Sequence, residues 1–186
     1  MNVLDAIAAR RSIKDFGPRT LNRDDLVPLL DAATLAPNHR MTQPWRFYVL
    51  GPEARLAYGA ALGGRKAKKV EDPDAAKLVI ERVAAGHAAL PAMVAFAITL
   101  DDNPEIREED YAAAMMAVQN FSLAAVAAGL GTHIKSGAVM DDPAARAAVG
   151  VAEDQRIVSI VNVGEPMTVP APKERSPAHE FTTWTE

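Results

Sequence analysis

The chain has 186 residues, 49% hydrophobic and 24% charged, with a formal net charge of -4 and a pI near 5.6. That length and composition suit one folded domain, residues 1–186, with a sizeable core, and exclude wholesale disorder. The acidic balance argues against a phosphate-neutralising nucleic-acid surface, and the absence of cysteine excludes disulfides, thiolate nucleophiles and Cys-ligated zinc or iron–sulfur sites, which leaves redox chemistry to a bound organic cofactor.

Val3, Leu4, Ile7 and Ala8 fall at helical spacing, so the chain opens with a short helix over residues 2–10 that Asn2 caps and that delivers Arg10, Arg11 and Ser12 at its end. The same stretch lacks the basic, apolar and small-residue order of a signal peptide, and a cytoplasmic location is the expectation. Asn22 caps a second helix over 23–34, with Asp24 and Asp25 in its first turn, and Pro37 stops it. "WRFYVL" (45–50) reads as a strand ended by Gly51-Pro52. A helix over 53–62 follows, then "GGRKAKKVEDPD" as a mobile connection, then a helix over about 74–86. "AMVAFAITL" (92–100) is apolar on both faces, as in a strand covered on two sides.

The longest element is an alanine-rich helix from about 105 to 128, whose small side chains allow close approach at the centre of the molecule or of a dimer. Gln119, Asn120, Ser122 and the acidic flank mark it as a soluble helix, not a membrane span. Gly129 and Gly131 close it, "THIKS" (132–136) is a short strand, and Asp141 or Asp142 caps a small helix that has Pro143 in its first turn. "RIVSIVNVGEP" (156–166) is the last strand. Beyond it Pro166, Pro170, Pro172 and Pro177 forbid a continuous helix, while Phe181 and Trp184 need something to cover them, so the tail is expected to cross onto a neighbouring subunit. Intermixed helices and strands define an α+β or α/β domain.

Two stretches carry candidate chemistry. Paired guanidinium forks beside a hydroxyl, in "RRS" (10–12), form the donor set that a phosphate oxyanion needs, although the same residues also suit a solvated helix end. "APNHRMTQPW" (36–45) places Asn, His, Arg, Thr and Gln in a proline-bounded loop; Thr42 and Gln43 offer groups for a heterocycle's edge, and Asn38 equally suits a plain turn. The four histidines have no ligand spacing, so no metal site is expected. "GLGTHI" ends a helix instead of opening one and is no dinucleotide fingerprint, and His133 is read as a half-buried strand residue.

"ARRSIKDF", "APNHRMTQPWRFYVL", the helix running into "GLGTHIKSG", and "VNVGEP" together resemble the FMN-dependent nitroreductase family, in particular its short bacterial NAD(P)H nitroreductase members. The resemblance implies a three-layer α+β fold with a mainly antiparallel central sheet flanked by helices, a homodimer with shared flavin sites and the tail on the partner, FMN as cofactor, and NADH or NADPH as co-substrate. It further implies that Arg10, Arg11 and Ser12 hold the FMN phosphate and ribityl chain, that Leu35 and His39 are flavin contacts, and that Ile134, Lys135 and Ser136 meet the flavin, with Lys135 as a source of positive charge. Ala124, Ala125, Val126, Ala127, Ala128 and Gly129 match a nicotinamide-contacting stretch. Met41 stands where larger members carry asparagine, and Lys173 and Arg175 are weaker matches to a second phosphate-binding pair. The implied activity is hydride transfer from NAD(P)H to a nitroaromatic, quinone or related small acceptor in alternating half-reactions, with the chemistry on the flavin and no protein acid, base or nucleophile. A flavin-binding protein without turnover, a reductive dehalogenase or flavin-fragmenting enzyme on the same scaffold, and a dimer with a degenerate site are the rival readings.

Overall fold

The computed structural model describes residues 1–185. The chain forms α1 (Val3–Ala9), α2 (Arg23–Thr34), β1 (Trp45–Val49), α3 (Pro52–Ala67), α4 (Pro73–Ala88), β2 (Ala92–Thr99), α5 (Pro104–Ala127), β3 (Gly131–Lys135), α6 (Pro143–Val149) and β4 (Gln155–Gly164), with short 3-10 turns at His39–Met41, Ala138–Asp141 and Ala178–Phe181. The strands form one antiparallel sheet in the order β1-β2-β4-β3.

Both faces of β2 are covered, which explains its unbroken apolar run. Val94, Phe96 and Ile98 turn toward α2 and α5, where Phe96 meets Phe47 and Phe121 edge-on at 5.1 and 5.4 Å between ring centroids. Met93 and Ala95 turn the other way, into a second core with Tyr58 of α3, Val139, Met140 and Ala145. Three layers result. Each fully buried Phe or Ile in them contributes about 1.5–3 kcal/mol. Val158 is the extra residue of a bulge between β2 and β4, since Phe96 pairs with Ser159 but Ala97 with Ile157.

Caps stand where the sequence puts them. Asn2 accepts from the Asp5 amide, Asn22 and Asp25 form a reciprocal capping box, Asp142 accepts from Ala144 and Ala145, and Gly129 takes the left-handed conformation (φ 76°) that ends α5. The alanines of α5 do bring it close to the sheet: Ala113, Ala114, Ala117 and Ala125 are at most 1% exposed.

One element departs from expectation. Helix α3 does not stop at residue 62 but runs to Ala67, so the charged stretch read as a mobile connection is mostly helical and the link to α4 is short. The reason is tertiary. A Cβ on Gly59 would stand 2.8 Å from the Ala84 Cα, and one on Gly63 would stand 2.8 Å from the Ile80 Cα, so these glycines are contact points of the α3–α4 pair and not helix breakers.

The N-terminal arm is stitched between β3 and the start of the tail. Ser12 bridges Thr132 in parallel, the Ile13 amide donates to the Thr132 carbonyl at 2.9 Å, Gly17 donates to Glu165 at 2.8 Å, and Met167 donates to Asp15 at 3.0 Å. Gly131 permits this approach, because a Cβ there would lie 2.4 Å from Ile13. Arg19 adds a clasp, with its Nε on Glu165 at 2.6 Å and its Nη1 on Asp25 at 3.1 Å.

Candidate functional site

Because both chain ends meet along β3, the segment after α1 faces the tail across a cavity of about 700 Å3. Its walls carry Arg10, Arg11, Ser12 and Lys14 on one side and Lys173 and Arg175 on the other, with Ile7, Ala8, Pro170 and Pro172 as apolar surface. Five cations face one carboxylate, Asp15, which accepts a hydrogen bond from the Thr168 hydroxyl at 3.0 Å. None of the five joins an ion pair among the described residues. In an acidic protein, that local excess gives the cavity a positive potential that suits an anion.

The two arginines differ. Arg11 turns back to donate to the carbonyls of Ala8 (2.6 Å) and Arg10 (2.9 Å), closing the end of α1, and its buried Nε finds no partner. Arg10 has no side-chain hydrogen bond among the described residues and lines the cavity with its guanidinium uncommitted. Lys173 and Arg175, the weaker sequence candidates, lie in the same cavity, and Lys14, which sequence reasoning missed, joins them two residues after Ser12.

Leu35, His39, Thr42 and Gln43 lie elsewhere. Leu35 is 81% exposed at the end of α2, and His39 lines a separate recess with Pro37, Asn38, Glu109, Ala112 and Met116. The loop there is strained: Arg40, Met41 and Gln43 have φ of 61°, 51° and 45°, a left-handed conformation that costs a non-glycine residue about 1 kcal/mol or more each. Asn38 Oδ1 accepts from the Gln43 amide at 3.1 Å, His39 Nδ1 donates to Glu109 at 2.8 Å, and the Thr42 hydroxyl donates to Asp110 at 2.5 Å.

Ile134 and Lys135 end β3, starting two residues past the Ser12–Thr132 bridge, and Ser136 follows directly after the strand. Ile134 packs against the α5-side core, and Ser136 is exposed. The Lys135 ammonium is half-buried and donates to His87 Nε2 at 3.2 Å, while His87 Nδ1 donates to the Val83 carbonyl at 2.7 Å. Lys135 therefore directs its charge toward α4 and not into the cationic cavity. Burial first, then Lys66, pushes the Lys135 ammonium below its ordinary pKa, and burial lowers that of His87 against the pull of Val83. His133 is half-buried, as expected, and burial followed by Lys135 and Lys14 lowers it too. Of the stretch from Ala124 to Gly129, Ala125 is committed to the core, Ala124 packs against it, Val126 is half-buried, and Ala127, Ala128 and Gly129 are exposed.

The cavity fits a phosphorylated cofactor on its donor set and on the uncommitted Arg10. Comparison with known proteins agrees with the fold. The profile of the nitroreductase family matches residues 7–165, and the chain belongs to that family. It is 30% identical over 182 residues, 96% of this chain and 92% of the relative, to the Bacillus subtilis (strain 168) protein named "Putative NAD(P)H nitroreductase YfhC". The solved structure of a nitroreductase-like family protein from Bacillus cereus superposes with a TM-score of 0.86 at 29% identity, covering 100% of this chain and 97% of the other. That of an FMN and NADPH-dependent nitroreductase, NfnB, from a Sphigopyxis strain has a TM-score of 0.78 at 18% identity and covers 100% of both chains.

Proposed function

We propose that residues 1–186 form one FMN-binding domain of an NAD(P)H-dependent oxidoreductase that reduces nitroaromatic, quinone or related small acceptors in alternating half-reactions. The observation that carries this reading is the cavity where Arg10, Lys14, Lys173 and Arg175 converge without counter-ions. Family membership and the name of the Bacillus subtilis relative support the nicotinamide co-substrate, and the name of NfnB supports FMN. Bound FMN would supply the hydride and electron chemistry.

The residues of this chain then bind and orient. Arg10, Lys14, Lys173 and Arg175 neutralise the phosphate, the Ser12 hydroxyl donates to the phosphate or ribityl oxygens, and Arg11 holds the end of α1 so that Arg10 stays in place. Ile134 and Ser136 border the ring system, and the exposed residues Ala127, Ala128 and Gly129 lie where the nicotinamide approaches.

Leu35, His39, Thr42 and Gln43 serve the same flavin from a second subunit. The loop and the cationic cavity share no lining residue within one chain, and Asp110, which anchors the loop, lies on the order of 20 Å along α5 from Ala124, at 1.5 Å per residue. Exposed apolar residues on α5 and the tail, Met116 at 41%, Phe181 at 78% and Trp184 at 90%, are surface that a homodimer would cover. No helix among the described residues is long and apolar enough to cross a membrane; a cytoplasmic location is part of the proposal.

Purified protein should be yellow or take up FMN, lose its colour with NADPH under anaerobic conditions, and regain it with a nitroaromatic acceptor. Colourless protein that takes up no FMN would overturn the reading. Flavin binding without reduction by NADPH would reduce it to a storage or regulatory protein.

A further inference from the structure

The loop from Asn38 to Gln43 adopts a conformation that its own residues disfavour, with Arg40, Met41 and Gln43 all left-handed, and its side-chain ties outside the loop run to the first two turns of α5. Glu109 accepts from His39 Nδ1 at 2.8 Å and lies 3.7 Å from Arg40 Nε, with Glu105 3.8 Å from Arg40 Nη2. Asp110 accepts from the Thr42 hydroxyl.

A helix that needed only to pack on the sheet would place an apolar residue at position 110. Asp110 is 4% exposed, in line with Ala113, Ala114 and Ala117 on the buried face of α5, and a buried carboxylate is costly unless it is hydrogen-bonded. Its side-chain partner is Thr42, in the strained loop. Glu109 commits the Nδ1–H of His39 and leaves Nε2 as the ring nitrogen without a partner among the described residues.

We infer that Asp110 and Glu109 are positioning residues of the cofactor site, holding the 38–43 loop, and His39 with it, in the arrangement that receives the flavin. Strained backbone persists where the surroundings over-determine it, and two carboxylates on successive α5 residues do so here. The binding consequence rests on the flavin reading proposed above; the effect on the loop rests on the geometry alone.

The test uses Thr42→Val, Asp110→Ala, Asp110→Asn and Glu109→Ala in the full chain, read by FMN titration and by hydrogen exchange of the Gln43 amide without FMN. Thr42→Val and Asp110→Ala should speed Gln43 exchange and weaken FMN binding by about tenfold or more, equivalent to losing one charge-assisted hydrogen bond. Asp110→Asn keeps an acceptor for the Thr42 hydroxyl and should stay within about threefold of the parent protein on both readouts. Glu109→Ala removes the acceptor of the His39 Nδ1–H and should shift His39 away from that tautomer, as read by nitrogen-15 shifts at pH 8, and an unchanged tautomer would overturn the role of Glu109. Thr42 is exposed, so its variant folds even where the loss of buried Asp110 does not. Unchanged Gln43 exchange and FMN affinity in Thr42→Val, or an Asp110→Asn variant as impaired as Asp110→Ala, would overturn the inference. If the parent protein binds no FMN, the functional proposal falls, and the exchange and tautomer measurements still decide this one.

Discussion

The cationic cavity and the loop on α5 use charge in opposite ways. In the cavity, Arg10, Lys14 and Lys173 line one space with no carboxylate paired to them, which leaves their charge available to a bound anion. In the loop, His39 and Arg40 are matched to Glu105 and Glu109, and Thr42 to Asp110, so the charge there is spent on holding a shape. Uncommitted charge marks where a ligand's charge goes; committed charge marks what must not move.

The sharpest way to break this contrast is Arg10→Ala. Losing one guanidinium from a phosphate site should weaken FMN binding by about 10- to 100-fold, while Arg11→Ala should act mainly on stability, by about 1 kcal/mol, because Arg11 bonds backbone carbonyls. Equal effects of the two on FMN titration and urea unfolding would erase the distinction between clamp and brace.

Salt gives a smaller effect of the same origin. Raising ionic strength from about 0.05 to about 0.5 M should lower FMN affinity severalfold in the parent protein and less in Arg10→Ala, since screening acts on the cations that the mutation removes.

A third region, around Lys135, holds its charge partly out of water. Lys135 is a half-buried cation whose partner is the imidazole of His87. His87 and His133 both have folded-state pKa values pulled below 6.5, so the unfolded chain binds more protons than the folded one once pH falls below that value. Their contribution is therefore complete above about pH 6.5 and lost progressively on acidification toward the folded pKa. The urea midpoint should fall across this window, and less in His87→Gln; a flat profile would show that burial does not disfavour these protonations.

The smallest effect is expected at Met41. Asn accepts left-handed backbone more readily than Met, so Met41→Asn should raise stability by up to about 1 kcal/mol in urea unfolding. A loss would mean that the Met41 side chain contributes more than its backbone costs.

Features set by neighbours in sequence were readable from the sequence. The caps at Asn2 and Asn22, the αL stop at Gly129 and the two-faced strand β2 each depend on a few adjacent residues, and the cap of α6 was narrowed to Asp141 or Asp142, of which the structure uses Asp142. The extent of α3 was not readable, since Gly63 and Gly64 look like punctuation until Ile80 of α4 is placed against Gly63. In the site, Arg10, Arg11 and Ser12 stood out as a donor set, but Lys14 passed unnoticed and Lys173 looked unconvincing, because the chain ends are joined by the stitching of residues 15–17 to 165–167, which no local pattern announces. Asp110 belongs to the acidic flank of the long helix, and nothing local tells that its carboxylate is buried against Thr42. Phe181 and Trp184 were expected to find cover, and within this chain they have almost none.

The proposed role of the cationic cavity is to receive the phosphate of FMN. The most direct measurement is a titration of apoprotein with FMN against riboflavin, which lacks that group. Saturable binding of one FMN per chain, much tighter than riboflavin and weakened by Arg10→Ala, is the predicted result; equal affinity for the two flavins, or no saturable binding of either, would contradict it.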